Sequence, residues 1–301
     1  MNPLVSIVIP TYNHAHFLKL SLSSVVNQTY QNWEAIVIDN HSIDNTDEVV
    51  ASFLDSRIRL TKIHNNGVIA ASRNKGIQEA KGEWVSFLDS DDLWSLHKLG
   101  RIVSEIQKLE NQIDVVCNNE NMVQFETKER MLLNYGPYEN DFYRKMLFYG
   151  NRLSTSATTV RRMFLTDKSL LFSETPEFIT VEDYDLWLRL AKAKARFLFI
   201  PEVLGEYTIH GSNQSASLER HLNHLENLIR HHVFEIQDFE SNKESLWRRF
   251  KVRLKFDRGL VYLRERKWIA ACNSLVRSFF QSPITFISLL AAKFKNRFDK
   301  V

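Results

Sequence analysis

Apolar segments without polar alternation constrain the fold of this chain most strongly. They occupy residues 4–9, 33–38 and 84–88, and a further strand is predicted over residues 57–64. Uninterrupted segments of this kind are typical of strands buried on both faces of a parallel sheet. Between the first two, Phe17, Leu18, Leu22 and Val25 recur at helical spacing. The alternation of strand and helix predicts an α/β fold, an open and mostly parallel sheet with helices on both faces.

Polar side chains follow the ends of three predicted strands. Thr11, Tyr12 and Asn13 follow the first, Asp39 ends the second, and an acidic cluster follows the strand over residues 84–88. Open α/β sheets bind ligands outside the carboxyl ends of their strands, so these segments are expected to converge on one crevice. A dehydrogenase would need a glycine-rich turn after the first strand, and residues 10–14 contain no glycine.

The acidic cluster consists of Asp89, Asp91 and Asp92, with Ser90 between the first two. Burial of an unpaired carboxylate is costly, so the cluster must be solvated, paired with cations or bound to a metal. Alternation along the chain points Asp89 and Asp91 to one side. Two hard oxygen ligands suit Mg²⁺ or Mn²⁺, which can also bridge the oxygens of a diphosphate. The alternative is an acidic loop that caps the next helix.

Five short segments stand in the order seen in family 2 glycosyltransferases of the GT-A fold, and the chain resembles that family over residues 1–215. The segments are residues 5–13, 37–46, 71–76, 87–92 and 182–187. The resemblance implies an inverting transfer of a sugar from a nucleotide-diphosphate donor, with UDP favoured. The acceptor would be a hydroxyl of a glycan or lipid-linked saccharide, and the cofactor Mn²⁺ or Mg²⁺ on the diphosphate.

The resemblance also implies roles in the donor pocket. Tyr12 would stack on a pyrimidine base, Asp39 would accept a hydrogen bond from a ring N–H, and Arg73 would contact the base or a phosphate. The family commonly has a second aspartate and a glycine where this chain has Asn40 and His41. The structural alternatives are that Tyr12 is a packed turn residue, Asp39 a helix cap and Arg73 a surface cation. Further substrate-binding residues are predicted at Thr11, Asn13, Asp89, Ser90, Asp91, Glu182 and Trp187.

A second acidic segment supplies the candidate base. Asp183, Leu186, Trp187 and Leu190 have the spacing of one helix face, so Asp183 begins an inward-facing stripe. The structural alternative is that Asp183 only stabilises the helix, because acidic side chains at a helix start interact favourably with the positive end of its dipole. The resemblance assigns the general base to Asp183. It also likens residues 205–215 to a segment that closes over the donor diphosphate, so His210 is predicted as a metal ligand with Asp89 and Asp91.

The chain is predicted to contain a glycosyltransferase domain over residues 1–215 and a helical region over residues 216–301. Within the first, residues 1–117 would bind the nucleotide and residues 118–215 would form the acceptor side. Residues 93–109 are predicted as one helix and residues 154–160 as a strand.

Charge is distributed unevenly along the chain. Residues 241–301 carry 15 Lys and Arg against 4 Asp and Glu, a net charge of +11, whereas residues 1–240 have a net charge of −8. This favours an anionic partner, and a membrane surface is preferred to nucleic acid because no nucleic-acid-binding motif accompanies the charge. A solvated helix that packs on the enzyme is the alternative.

Composition favours a cytoplasmic enzyme in peripheral contact with the inner face of the cell membrane. Cys117 and Cys272 lie far apart and form no disulfide framework, which fits a reducing compartment, and both are predicted to be buried. The amino terminus lacks the basic region of a signal peptide, and the longest apolar stretch is about half of the ~20 residues that span a bilayer. A sugar-nucleotidyltransferase would need a glycine-rich basic loop after the first strand. A non-catalytic carbohydrate-binding protein would not need Asp91 and Asp183.

Overall fold

A computed structural model describes residues 2–109, 112–167, 169–211 and 218–298, with side chains as far as residue 291. The chain divides into two compact units, residues 1–216 and 217–301. The strands are β1 (Val5–Thr11), β2 (Trp33–Asp39), β3 (Ile58–Lys62), β4 (Trp84–Phe87), β5 (Leu93–Trp94), β6 (Val115–Gln124), β7 (Arg130–Leu133), β8 (Thr158–Arg161) and β9 (Phe197–Ile209). The helices of the first unit are α1 (Ala15–Val26), α2 (Thr46–Ala51), α3 (Ile69–Glu79), α4 (Lys98–Leu109), α5 (Phe142–Tyr149), α6 (Arg162–Thr166) and α7 (Glu182–Lys192).

One sheet contains all nine strands, and helices flank it. Its order is β3-β2-β1-β4-β8-β6-β9-β5, with β7 paired to β6. The first four strands are parallel, as predicted, whereas β4 and β6 both run antiparallel to β8. The register pairs Thr11 with Asp39 and Val8 with Phe87. The segments that follow β1, β2 and β4 therefore leave the sheet at the same edge.

The central strands of the sheet are fully buried, and α3 packs closely against them. Every residue of β1 and β2 is buried, which explains why their sequences show no polar alternation. A Cβ on Gly76 would lie 2.3 Å from Cγ1 of Val8, so only glycine permits this approach of α3 to β1. Arg73 precedes Gly76 by about one turn and is buried with it.

The helix predicted over residues 93–109 begins only at Lys98. Leu93 and Trp94 instead form β5, where they pair with Glu206 and Gly205 of β9. The prediction was wrong there because apolar residues in a two-residue strand resemble the first turn of an amphipathic helix. Only the end of the segment predicted as a strand over residues 154–160 belongs to a strand, β8 (Thr158–Arg161).

The second unit is helical, as predicted. Its helices are α8 (Leu218–His231), α9 (Lys243–Arg264), α10 (Trp268–Gln281) and α11 (Pro283–Phe298). Gly259 of α9 lies where a Cβ would be 2.6 Å from Cγ of Leu275, so α9 and α10 are in close contact. Cys117 is buried in β6, but Cys272 of α10 is exposed, which corrects the prediction that both are buried. Over the described part of the chain, no helix combines the length and apolarity that crossing a membrane requires.

Candidate active site

A cavity of about 660 Å³ lies at the edge of the sheet where β1, β2 and β4 end. Its walls come from the segments after β1 to β4, from the start of α7 and from residues between β6 and β8. Representative lining residues are Tyr12, Asn40, Arg73, Asp91, Tyr135 and Asp183. Segments far apart in sequence thus converge here, as expected for the carboxyl ends of parallel strands.

The segment after β1 presents an aromatic side chain to the cavity. Tyr12 lines it and is 54% exposed, while Thr11 forms part of the wall and is buried. Asn13 does not line the cavity. Its backbone N–H donates to Oγ of Ser42 (2.8 Å), and its Oδ1 accepts from the backbone N–H of Ile43 (2.9 Å). Asn13 therefore connects the segments after β1 and β2, and its contact with substrate stays a prediction.

Asp39 is absent from the cavity wall. The side chain is fully buried, and its two oxygens accept hydrogen bonds from the backbone N–H of Ser42, each at 3.1 Å. The predicted contact with a base therefore finds no support in this geometry, because the loop that follows β2 folds over the carboxylate. Asn40 lines the cavity instead. His41 adopts a left-handed conformation (φ +53°) and stacks on His64 at 3.8 Å between ring centroids.

Arg73 joins the two acidic segments. Its Nη2 donates to Oδ1 of Asp89 (2.8 Å), and its Nη1 donates to Oε1 of Glu182 (2.7 Å). Burial alone would lower the pKa of the guanidinium, but the two carboxylates outweigh it and the pKa is raised. Arg73 therefore stays charged and fixes the end of β4 against the start of α7, which was not part of its predicted role.

Asp91 forms a second pair beside the cavity. Its Oδ2 lies 2.8 Å from Nε2 of His210, a buried residue that stands behind the cavity wall. Burial, and next the charge of Asp89, raise the pKa of Asp91. His14, which the sequence analysis missed, lines the cavity with its ring 5.5 Å from that of His210. Burial lowers the pKa of His14 and favours a neutral imidazole. The one available signal was its position directly after the segment that ends β1.

The predicted metal ligands do not form a complete site by themselves. Among the residues that the structure describes, no three His, Cys, Asp or Glu side chains are arranged to hold a metal ion. Asp89 is engaged by Arg73, and Ser90 lines the cavity beside it. Asp92 faces away, where Thr208 N–H donates to its Oδ1 at 2.8 Å. Burial raises the pKa of Asp92 well above its usual value.

Asp183 lines the cavity at the start of α7. Burial, and next the charge of Glu182, raise its pKa to about 7, although Arg73 acts in the opposite direction. Oδ2 of Asp183 accepts a hydrogen bond from Nδ2 of Asn151 (3.2 Å). A carboxyl group with this pKa is half-deprotonated near neutral pH and can accept a proton there.

Trp187 belongs to the core, and its contact with substrate stays a prediction. It is fully buried, with ring centroids 6.3 Å from Phe87 and 6.1 Å from Phe172. The helical spacing predicted correctly that Trp187 lies on the inward face of α7. It could not distinguish the first turn of that face, where Asp183 borders the cavity, from the second turn, where Trp187 packs against aromatic rings.

The acceptor side contributes cavity residues that the sequence did not single out. Tyr135 lines the cavity and donates its hydroxyl to Oε2 of Glu120 at 3.1 Å. Burial raises the pKa of Glu120. Other lining residues from this part of the chain are Leu133, Leu153, Ser154, Thr155, Thr180 and Tyr207.

The nine-stranded sheet and its flanking helices have the GT-A fold of glycosyltransferases. A family model described as glycosyl transferase family 2 matches residues 6–170, more than half of the chain. The chain belongs to this family and is a glycosyltransferase, so the sugar-nucleotidyltransferase alternative is wrong. The resemblance to this family, first noted in the sequence, is thereby confirmed.

Particular relatives agree with this membership. The chain is 34% identical over 194 residues to the UDP-Glc:alpha-D-GlcNAc-diphosphoundecaprenol beta-1,3-glucosyltransferase WfgD of Escherichia coli, covering 63% of this chain and 70% of the relative. The crystal structure of S. aureus TarS 1-349 in complex with UDP superposes with a TM-score of 0.64 at 20% identity, covering 95% of this chain and 82% of TarS. The mannosyltransferase PcManGT from Pyrobaculum calidifontis, in complex with GDP-Man and Mn²⁺, gives a TM-score of 0.61 at 16% identity, with coverages of 98% and 80%. At these identities the two structures establish the fold.

Proposed function

We propose that this glycosyltransferase moves a sugar, with inversion, from a UDP-sugar to a hydroxyl group of a saccharide carried on a lipid diphosphate or a growing glycan. The observation that carries the proposal is the placement of Asp183 in the same cavity as Asp91, with a pKa raised to about 7. One carboxyl group can then accept a proton near neutral pH while the other lies where a cation is needed.

The reaction is a single displacement. Asp183 accepts the proton of the acceptor hydroxyl as the acceptor oxygen forms a bond to the anomeric carbon. The bond from that carbon to the donor diphosphate breaks, and its electron pair leaves with the nucleoside diphosphate. Attack on the face opposite to the departing group inverts the anomeric configuration. Arg73 holds Glu182, and with it the start of α7, against the strand that carries the donor-side carboxylates.

A divalent metal, Mn²⁺ or Mg²⁺, fits the residues beside Asp91. Such ions are often held by one or two protein ligands together with substrate phosphates, so a cavity without a complete protein cage is compatible with one. Asp91 and His210 would hold it, and Asp89 would add charge nearby. When bound, the ion would neutralise the charge that develops on the diphosphate. The raised pKa of Asp91 supports this assignment, because a buried carboxyl near another carboxylate favours a cation.

The donor assignment depends on the exposed aromatic and amide groups at the cavity wall. Tyr12 offers a face for a pyrimidine base, and Asn40 and Asn65 offer amide groups for its polar edge. UDP-glucose appears in the name of WfgD, the 34% identical relative, which supports uridine over guanosine. The acceptor class is supported by the lipid diphosphate in the name of WfgD.

The choice of donor and the anomeric configuration of the product can be tested in one experiment. The full-length chain is incubated with UDP-glucose, UDP-GlcNAc or GDP-mannose and a synthetic lipid-diphosphate saccharide, and the anomeric configuration of the product is read by NMR. We expect turnover with a UDP-sugar and a β-linked product from an α-linked donor. An α-linked product, or a clear preference for GDP-mannose, would contradict the proposal.

The metal assignment is tested by calorimetry of UDP binding with and without Mn²⁺. Asp91→Asn should remove the metal-dependent part of the affinity. Asp47→Asn is the matched control, since Asp47 is an exposed carboxylate that pairs with Lys62 and does not line the cavity. Undiminished metal-dependent affinity in the Asp91 variant would show that the metal site lies elsewhere.

A further inference from the structure

The helix α10 turns its small residues inward. Ala271, Ser274 and Ser278 follow helical spacing and are its buried residues. Oγ of Ser274 donates to the carbonyl of Lys255 (2.8 Å), and Oγ of Ser278 donates to the carbonyl of Val252 (2.7 Å). Small side chains that bond to the neighbouring backbone allow α10 to approach α9 closely. The face of α10 that packs on protein is therefore not its apolar face.

Leu275 packs on Gly259 of α9, but several other large apolar side chains of α10 are exposed to solvent. Ile269 is 82% exposed, Phe280 is 78% exposed, and Trp268 and Val276 are also exposed. Ile269, Val276 and Phe280 lie at i, i+7 and i+11, which places them along one stripe. An amphipathic helix of a globular protein normally has the reverse arrangement. The stripe is directed away from the buried serines, so it is not covered by α9.

The next helix extends the same kind of surface. Ile284 and Ile287 of α11 are exposed and lie one turn apart. We refer to the six residues Trp268, Ile269, Val276, Phe280, Ile284 and Ile287 as the outward apolar face. Exposed apolar side chains in this number, on two consecutive helices, indicate a surface that binds something apolar.

Charge identifies the chemistry of the occupant. Residues 266–298 contain no Asp or Glu but include Arg266, Lys267, Arg277 and three further cations after residue 291. Arg266 and Lys267 are exposed directly before Trp268, and Arg277 is exposed beside Val276. Glu265 pairs with Lys267 (2.6 Å) just before the stripe, but cations outnumber it there, and an apolar stripe flanked mainly by cations matches the boundary between acyl chains and anionic headgroups. A second copy of the chain would bring a second segment of net charge +11 against the first, which opposes self-association through this face.

We propose that the outward apolar face binds an anionic lipid surface, with α10 and α11 lying in the membrane interface. The apolar side chains would enter the acyl boundary, and Arg266, Lys267 and Arg277 would remain at the headgroups. This proposal goes beyond the sugar transfer and is independent of the donor, the metal and the catalytic base.

The apolar contribution is tested by sedimentation of the full-length chain with vesicles. Wild-type protein should bind vesicles that contain phosphatidylglycerol and should not bind vesicles of phosphatidylcholine alone. The double variant Ile269→Ser/Phe280→Ser should bind at least about tenfold more weakly, since each large apolar side chain buried contributes that much or more. The matched control is Leu54→Ser/Met163→Ser, which removes two exposed apolar side chains from the first unit and should bind like wild type.

The charge contribution is tested separately. The triple variant Arg266→Gln/Lys267→Gln/Arg277→Gln keeps every apolar side chain and replaces exposed cations only. Each neutralised cation should weaken binding about fivefold, and wild-type binding should fall as salt is raised. If the apolar variant were unstable by circular dichroism, this triple variant would still decide the role of charge.

Three results would overturn the proposal. The first is equal binding by wild type and the Ile269/Phe280 variant, and the second is equal binding to neutral and anionic vesicles. The third is a lipid-free dimer, seen by sedimentation velocity, that the Ile269/Phe280 variant converts to monomers. That outcome would identify the face as a protein interface. Turnover with a soluble acceptor should be unchanged in both variants, so failure here would leave the proposed sugar transfer standing.

Discussion

Replacement of Arg73 by Met should affect both the stability of the first unit and the pH dependence of catalysis. The substitution keeps a long apolar stem but removes two charge-assisted hydrogen bonds, to Asp89 and to Glu182. It leaves two carboxylates in the cavity wall without the cation that now stands between them.

The cost in stability follows from the burial of these groups. The Glu182 side chain is 7% exposed and that of Asp89 is 26% exposed, so Glu182 cannot regain water, whereas Asp89 can do so in part. Removal of one partner from a buried ion pair typically destabilises a fold by about 3–5 kcal/mol. For a unit of roughly 200 residues this corresponds to a fall in Tm of about 6–20 °C. The measurement is thermal unfolding followed by circular dichroism.

The catalytic effect comes from Asp183. Arg73 lowers the pKa of that carboxyl, against burial and Glu182, which raise it to about 7. Without the guanidinium, the pKa of Asp183 rises further. A base must be deprotonated to act, so the acidic limb of kcat/KM should move to higher pH. Arg73→Lys keeps a charge but cannot bridge both carboxylates, and should give a smaller shift.

Arg161→Met separates the two effects. Arg161 is also buried, donates to Glu83 (2.8 Å) and lies outside the cavity. It should lower the Tm by less, because the Glu83 side chain is 55% exposed and can regain water, and it should leave the pH profile unchanged. An Arg73 variant whose acidic limb stays at the wild-type pH, in enzyme shown to be folded, would refute the electrostatic link between Arg73 and the base.

Three further predictions concern single side chains of the cavity. Asp183→Asn should lower turnover by roughly 10²–10⁴ while calorimetry shows nearly unchanged donor affinity; an equal loss of affinity would make Asp183 a binding residue. The same variant should raise the Tm most near pH 8, less near pH 5, and hardly at all near pH 3. Because the folded pKa of Asp183 lies above its usual 3.8, stability from this group is lost as pH rises toward 7, by up to about 4 kcal/mol. Tyr12→Ala should weaken UDP binding by about 1–3 kcal/mol, the usual value of base stacking, whereas Leu20→Ala, also about half exposed, should not.

The parallel half of the fold was predictable because strands buried on both faces have uninterrupted apolar sequences. β1, β2 and β4 begin and end within two residues of the predicted bounds. β5 was not predictable in the same way. Two residues carry no periodicity, and only their pairing with β9, more than a hundred residues later, distinguishes them from a first helical turn.

Site residues were predictable where the ends of strands fix them and not where loops or long-range pairs do. Tyr12 and Asp91 follow strand ends and line the cavity. Asp39 also ends a strand, but the loop containing Ser42 folds back over it, and nothing in a single sequence indicates that fold. The partners of Arg73 lie 16 and 109 residues away, so the bridge emerges only from the tertiary structure.

The carboxyl groups of the cavity differ in their partners, and this difference supports the choice of Asp183 as the proposed base. Arg73 takes Asp89 and Glu182, and His210 lies against Asp91. Asp183 accepts a hydrogen bond from the neutral amide of Asn151, which stabilises its charge less than a cation would. Asp183 thus combines burial with the nearby charge of Glu182, and its pKa rises to about 7. Adjacent carboxylates at the start of one helix therefore acquire different chemistry because a single arginine binds Glu182 and leaves Asp183 to accept a proton.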